Sequence, residues 1–231
     1  STREKGGVAS RTIEMFRLNP PNSASPRTEE MLKPFASEQA IPDFFQLEER
    51  EHCAVVRLVS KDGTNRLSRG CVKALAAAIE RLALDARPLI IAGNRSFFSA
   101  GADLNEITRL GEDAFDFALM GQRLMLAVDS FPAPAIAAVR GYCMGGGLDL
   151  ALACDVRIAH PLATFGHRGA ALGLITGWGG TQRLPRLVGP AKALELFVAA
   201  EKIHARSALE IGLISEISED PVARAVELAR R

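Results

Sequence analysis

The sequence predicts an α/β fold built on parallel strands, and three observations carry the prediction. From residue 44 onward, short runs rich in Val, Ile and Ala alternate with longer segments of helical spacing. Strands that alternate with helices pair in parallel through right-handed crossovers. Three adjacent glycines, Gly145, Gly146 and Gly147, separate the apolar run 134–139 from a second apolar run, 148–154. That pattern reads as strand, sharp turn and a helix apolar on nearly every face, and such a helix is buried. The chain has 231 residues, 48% hydrophobic and 24% charged, which is enough for one large domain with a substantial core.

Residues 1–40 contain Pro20, Pro21, Pro26 and Pro34 among Asn, Ser and Arg. They read as an irregular N-terminal extension without convincing periodicity, open to short strands or a short helix near 29–33, ahead of one domain spanning 41–231. Within that domain, 44–48 and 54–59 read as strands of a hairpin turning around 49–52. Leu67, Val72, Leu75, Ile79 and Leu82 have the spacing of a helix over 67–84, with Ser68 as its cap. A strand follows at 88–92. Asp103, with Glu106 three residues on, resembles a capping box that opens the next helix. Residues 112–131 form a further helix, ended by Pro132 and Pro134, and 135–139 is a strand leading into the glycine turn. Beyond the buried helix come strands at 156–159 and 164–165 and a loop at 177–180. Helices at 181–188, 191–200 and 206–211 and a strand at 213–217 complete the reading. Asp155 and Arg157 read as a charge pair, or as caps where helix passes to strand.

The net charge is +1, so there is no electrostatic case for nucleic acid or an anionic membrane. No apolar run reaches membrane-span length. Cys53, Cys71, Cys143 and Cys154 lie in apolar segments without metal-type pairing. They read as buried reduced thiols in a reducing compartment, and the expected location is cytoplasmic. The N-terminus lacks the apolar core of a secretory signal. No metal is expected, because no ligand set completes His160 and His167.

The glycine turn carries the chemistry. Glycine lets a ligand atom approach bare backbone. The first amides of a helix have no partner inside it, and the macrodipole adds positive character there. A buried helix start therefore suits an oxygen that becomes negative during reaction. The alternative is an ordinary strand-to-helix turn, since the spacing is not that of a dinucleotide or P-loop motif.

Three ordered stretches extend the reading: SFFSAGADLNEI at 96–107, AIAAVRGYCMGGGLDLALACD at 135–155, and ATFGHRGAALGLITGWGGTQRLPRLVG at 163–189. Together they resemble the crotonase, or enoyl-CoA hydratase/isomerase, superfamily. The resemblance implies a spiral of ββα units with peripheral C-terminal helices. It implies acyl-CoA thioesters as substrates, lyase or isomerase activity in fatty acid metabolism, and homotrimers or hexamers. Coenzyme A would arrive as part of the substrate, with no separate cofactor. The amides that hold the thioester oxygen would belong to Ala102 and Gly146. Ser99, Ala100, Gly101, Asp103 and Gly145 would lie along the coenzyme. Arg66 would reach its phosphates or stand solvated beside a turn.

Hydratases of this family use two glutamates. The first corresponds to Asp149 and the second to Gly169, which can neither donate nor accept a proton. That departure argues against ordinary hydration. His167 or Arg168 could supply the missing group. A bound bicarbonate could replace it, as in naphthoate-forming synthases with glycine here, and Thr176 and Trp178 would then form walls. The protein could also bind acyl-CoA without hydrating it. RNA binding by a family relative uses a lysine-rich helix, whereas 67–84 offers Arg69, Lys73 and Arg81. Family members usually continue past 222–231 into covering helices.

Overall fold

The computed structural model describes residues 44–109 and 113–231. The expected extension 1–40, with its short strands or short helix near 29–33, and residues 41–43 and 110–112 lie outside the described residues.

The central layer is a six-stranded sheet. Its strands are β1 (Phe45–Glu49), β2 (Ala54–Leu58), β4 (Leu89–Ala92), β7 (Ala135–Val139), β9 (Val156–Ala159) and β12 (Glu216–Ile217), side by side in that order. β1 and β2 form the expected hairpin, with Phe45 opposite Leu58 and Glu49 opposite Ala54. The other pairs are parallel, with Leu89 facing Ala135 and Val139 facing Ala159. All residues of β4 and β7 are buried, as expected of parallel strands covered on both faces. Alternate residues Ile90, Ala92, Ile136, Ala138 and Ile158 form one core face with Ala225 of α8 (Pro221–Leu228). This is the period-two pattern of a strand.

A smaller four-stranded sheet runs β11 (Ile203–His204), β10 (Thr164–Gly166), β8 (Tyr142–Met144), β5 (Phe97–Ser99). A parallel pair joins β3 (Arg66–Leu67) to β6 (Gly101–Ala102). These strands are two or three residues long, too short for periodicity to register. The expected strand at 213–217 shrinks to β12, because the Leu213 and Ile214 amides donate back to the Ala208 carbonyl.

The helices are α1 (Arg69–Leu82), α2 (Leu104–Ile107), α3 (Ala114–Asp129), α4 (Gly146–Ala153), α5 (Gly180–Val188), α6 (Pro190–Ala199), α7 (Ala205–Glu210) and α8. Ser68 caps α1 by accepting from the Cys71 amide at 3.2 Å. Asp103 caps α2 by accepting from the Asn105 amide at 2.9 Å. The expected capping box does not close. Glu106 instead reaches across to the Arg69 amide at 2.7 Å and serves the first turn of α1. A carboxylate there satisfies an orphan donor and complements the helix dipole.

Of the two readings of Asp155 and Arg157, a charge pair or caps, no charge pair forms and Arg157 caps the end of α4. Asp155 accepts from the Ala135 amide at 2.8 Å. Arg157, 4% exposed, donates to the carbonyls of Ala151, Cys154, Asp155 and Leu213. It thereby ties the C-terminal end of α4 to the chain before β12, where the dipole favours a cation. Burial pushes its guanidinium pKa down from the ordinary value. Cys53, Cys71, Cys143 and Cys154 are buried and unpaired. Burial pushes the Cys71 and Cys154 thiols up to about 12.

Candidate functional site

β8 delivers the chain into the glycine turn, and the turn is anchored before α4 begins. The Gly145 amide donates to the Gly166 carbonyl at 3.0 Å, which ties the turn to β10. Gly145 has φ of +50°, a backbone state that side chains rarely adopt. Gly146 then opens α4, where its amide has no carbonyl one turn earlier to bond within the helix. Every residue of α4 from Gly147 to Ala153 is buried, in keeping with its all-round apolar sequence.

The second amide arrives from β6. The Asp103 amide donates to the Leu67 carbonyl of β3 at 3.4 Å. β6 brings the Ala102 nitrogen close to the start of α4. Gly101 makes the approach feasible. Its φ is +92°, and a Cβ there would lie 2.6 Å from the Met144 carbonyl oxygen and 3.0 Å from the Gly146 nitrogen. A Cβ on Gly146 would lie 3.3 Å from the Ala102 nitrogen. The two amides therefore adjoin at one corner of a cavity of about 590 Å³ that both residues line.

Trp178 forms the wall beside this corner. It is buried and meets Phe117 edge-on at 5.3 Å. A Cβ on Gly146 would lie 2.6 Å from its ring, and one on Gly121 of α3 would lie 2.0 Å from it. Two glycines on different helices thus make room for one indole.

Asp149 lies in the first turn of α4, lines the cavity and is 1% exposed. Its Oδ2 accepts a hydrogen bond from the Thr176 hydroxyl. Its Oδ1 stands 3.3 Å from Nε2 of His167, which is also buried and lines the cavity. That separation is within ion-pair reach, yet the two atoms are not aligned as a hydrogen bond, and neither has another protein partner. The imidazole rests on the Phe197 ring of α6 at 5.1 Å. Gly180, at the start of α5, clears the space. A Cβ there would lie 2.1 Å from Asp149 Oδ1 and 3.0 Å from His167 Nε2.

Of the residues singled out from sequence, Ala100, Ala102, Gly145, Gly146, Asp149, His167, Arg168, Gly169 and Trp178 line this cavity. Arg168 is exposed at its edge. Gly169 opens a short 3₁₀ turn, Ala170–Leu172, and its carbonyl accepts from the Leu172 and Leu174 amides. Ser99, Gly101, Asp103 and Arg66 stand behind or beside the wall. Ser99 is fully buried; its hydroxyl donates to the Asn65 carbonyl at 2.7 Å and accepts from the Gly101 amide at 3.1 Å. It holds the Gly101 bend in place. Asp103 is engaged as the α2 cap, and exposed Arg66 pairs with Asp62 at 3.4 Å. Hydrogen bonds from Ser60 and Thr64 hold the Asp62 carboxyl at about 2.

Thr176, expected as a wall, does line the cavity, but its hydrogen bond to Asp149 was not expected. Gly180, the clearance beside Asp149, escaped the sequence reading; its one sequence signal is the glycine cluster at 177–180, which marks a tight turn without saying what it faces.

The family model described as "Enoyl-CoA hydratase/isomerase" matches residues 48–231. A Bacillus subtilis (strain 168) protein named "Probable enoyl-CoA hydratase" is 46% identical over 170 residues, 72% of this chain and 66% of that protein. The crotonyl-CoA hydratase of Syntrophomonas wolfei is 38% identical over 74% of this chain and 67% of its own. The chain thus spans about two thirds of the length of these curated relatives. Among solved structures, an enoyl-CoA hydratase from Bacillus anthracis superimposes with a TM-score of 0.77 at 34% identity, covering 80% of this chain and 75% of that one. With its mixed α/β architecture and these matches, the chain belongs to the enoyl-CoA hydratase/isomerase family of the crotonase superfamily.

Proposed function

We propose that this protein acts on enoyl-CoA thioesters. The thioester oxygen is held by the Ala102 and Gly146 amides, and Asp149 is the acid–base group beside the reacting carbons. The observation that carries the reading is the meeting of two backbone amides from separate glycine-bordered bends at one corner of the cavity. A thioester enolate places negative charge on its oxygen. One preorganised donor aimed at such an oxygen is worth about 2.7–4 kcal/mol. Backbone supplies both donors, so alanine and glycine are sufficient there. Asp149 is buried and hydrogen-bonded at one oxygen only, which leaves the other for a proton in transit.

Gly169 takes the place at which hydratases of the family carry their second glutamate. A Cβ on Gly169 would lie 2.7 Å from the Leu174 carbonyl oxygen. That neighbour is an acceptor and repels an anion. No step of the proposal passes through bicarbonate. The trimeric or hexameric assembly expected from the resemblance and the cytoplasmic location expected from the reduced cysteines belong to this proposal as well.

The test compares wild type with Asp149→Asn on crotonyl-CoA and trans-3-hexenoyl-CoA. General acid–base catalysis contributes about 10²–10⁴-fold, so turnover is expected to fall by that factor. Binding of acetoacetyl-CoA, which needs the amides alone, is expected to persist. Retained turnover in Asp149→Asn removes the carboxylate from the mechanism. Tight binding of acetoacetyl-CoA by a wild type that turns over neither thioester makes the protein an acyl-CoA binder.

A further inference from the structure

We infer that His167 is the second acid–base group of this site and performs, with Asp149, the water addition for which Gly169 supplies no side chain. The inference rests on the proposed enoyl-CoA reading and extends it from carbonyl polarisation to hydration. Three observations lead to it.

The first is position. His167 lies two residues before Gly169, directly after β10, and its ring lines the same cavity as Asp149 and the two amides. The second is the state of the polar atoms. Asp149 Oδ1 and His167 Nε2 are both buried and 3.3 Å apart, and neither makes a hydrogen bond within the protein. Buried polar atoms are nearly always satisfied, so two such atoms side by side at a cavity wall mark groups whose partner is a third molecule. The third is clearance. Gly180 lacks the Cβ that would press against both atoms. The other oxygen of Asp149 is held by Thr176 and the imidazole is backed by Phe197, so both groups are steadied from behind and open in front. The charged group placed against the imidazole is Asp149; the faces from α6 and α5 are Phe197 and Gly180.

The chemistry balances with water as the one co-reactant. Ionised Asp149 takes a proton from water as the water oxygen bonds to the β-carbon. The π electrons of the double bond move to the α-carbon and on to the thioester oxygen at the Ala102 and Gly146 amides. Protonated His167 then gives its Nε2 proton to the α-carbon as the enolate collapses back to the thioester. The proton on Asp149 Oδ1 passes to His167 Nε2, restoring both groups. Net, one H and one OH are added.

This cycle separates two activities. Moving a double bond from the 3- to the 2-position needs one group to carry a proton between carbons, and Asp149 suffices. Hydration needs both groups. The experiment measures hydration of crotonyl-CoA and isomerisation of trans-3-hexenoyl-CoA by wild type, His167→Gln and His167→Asn, with acetoacetyl-CoA binding and thermal melting as controls. The expected result is a loss of hydration of about 10²-fold or more in both variants, with isomerisation within a few-fold of wild type. Hydration unchanged in the variants, parallel loss of both activities, or a wild type that isomerises without hydrating overturns the inference and leaves the enoyl-CoA reading standing. A wild type that does neither overturns that reading itself. Should both variants fail to melt cooperatively, the wild type decides: hydration of crotonyl-CoA supports the inference and isomerisation without hydration overturns it.

Discussion

The two corners of the cavity are made of different material. At the corner proposed to hold the thioester oxygen the groups are backbone amides, set by a parallel strand pair on one side and a helix start on the other. Their close approach depends on Gly101 and Gly145 at positive φ. At the corner proposed for acid–base work the groups are side chains from three separate segments: Asp149 from α4, His167 after β10, and Thr176 from the loop ahead of α5. The first corner needs only that certain positions carry no Cβ. The second needs three rotamers to agree, and exposed loop residues such as Leu174 and Ile175 stand beside it. A backbone site is as rigid as its secondary structure; a side-chain site is as rigid as the loop that completes it.

That contrast can be tested by damaging the corners separately. The largest effect is expected from Gly180→Ala. The new methyl would overlap Asp149 Oδ1 and swing the carboxylate aside, and a misplacement of about 1 Å costs about 10²-fold. Turnover of crotonyl-CoA should drop by that factor while acetoacetyl-CoA binding, which reads the amides, is kept. Joint loss of both would show that the corners move as one.

Thr176→Val removes one hydrogen bond to a buried carboxylate, about 1.5–3 kcal/mol for a charged acceptor, and kcat should fall about 10–100-fold. A kcat unchanged in Thr176→Val would mean that the hydroxyl does not steady the carboxylate.

The smallest effect on chemistry belongs to Ser99→Ala. Its hydroxyl bridges the Asn65 carbonyl and the Gly101 amide at the back of the oxyanion corner. Denaturant unfolding should show a loss of about 1–3 kcal/mol from the unsatisfied buried groups, with kcat within a few-fold. A large fall in kcat at unchanged stability would mean that the backbone corner is less self-supporting than its geometry implies.

Much of the fold was legible in the sequence because it follows local rules. The runs that became β4 and β7 are apolar over their whole length, as two-sided burial requires. Ser68 caps α1 as its position before an apolar-periodic run predicts. The glycine triplet and the apolar helix behind it announced a buried helix start. What was not legible involves partners distant in sequence. Glu106 sits where a capping box would use it, yet it bonds the Arg69 amide 37 residues away. Arg157 sits beside Asp155, yet its donors go to carbonyls, one of them Leu213, 56 residues on. Thr176 and Asp149 are 27 residues apart, and no spacing rule links a loop threonine to a helix aspartate.

The sequence alone determined where backbone must bend and where apolar surface must be buried, because glycine and hydrophobic periodicity act on the residues that carry them. Tertiary structure alone decided which side chains meet. Asp149 and His167 belong to different segments, and their approach to 3.3 Å exists only once β10 has paired with β8 and α5 has packed against α4. A contact between remote segments costs chain entropy that no single segment can offset, so it forms as a consequence of the whole fold and leaves no local trace.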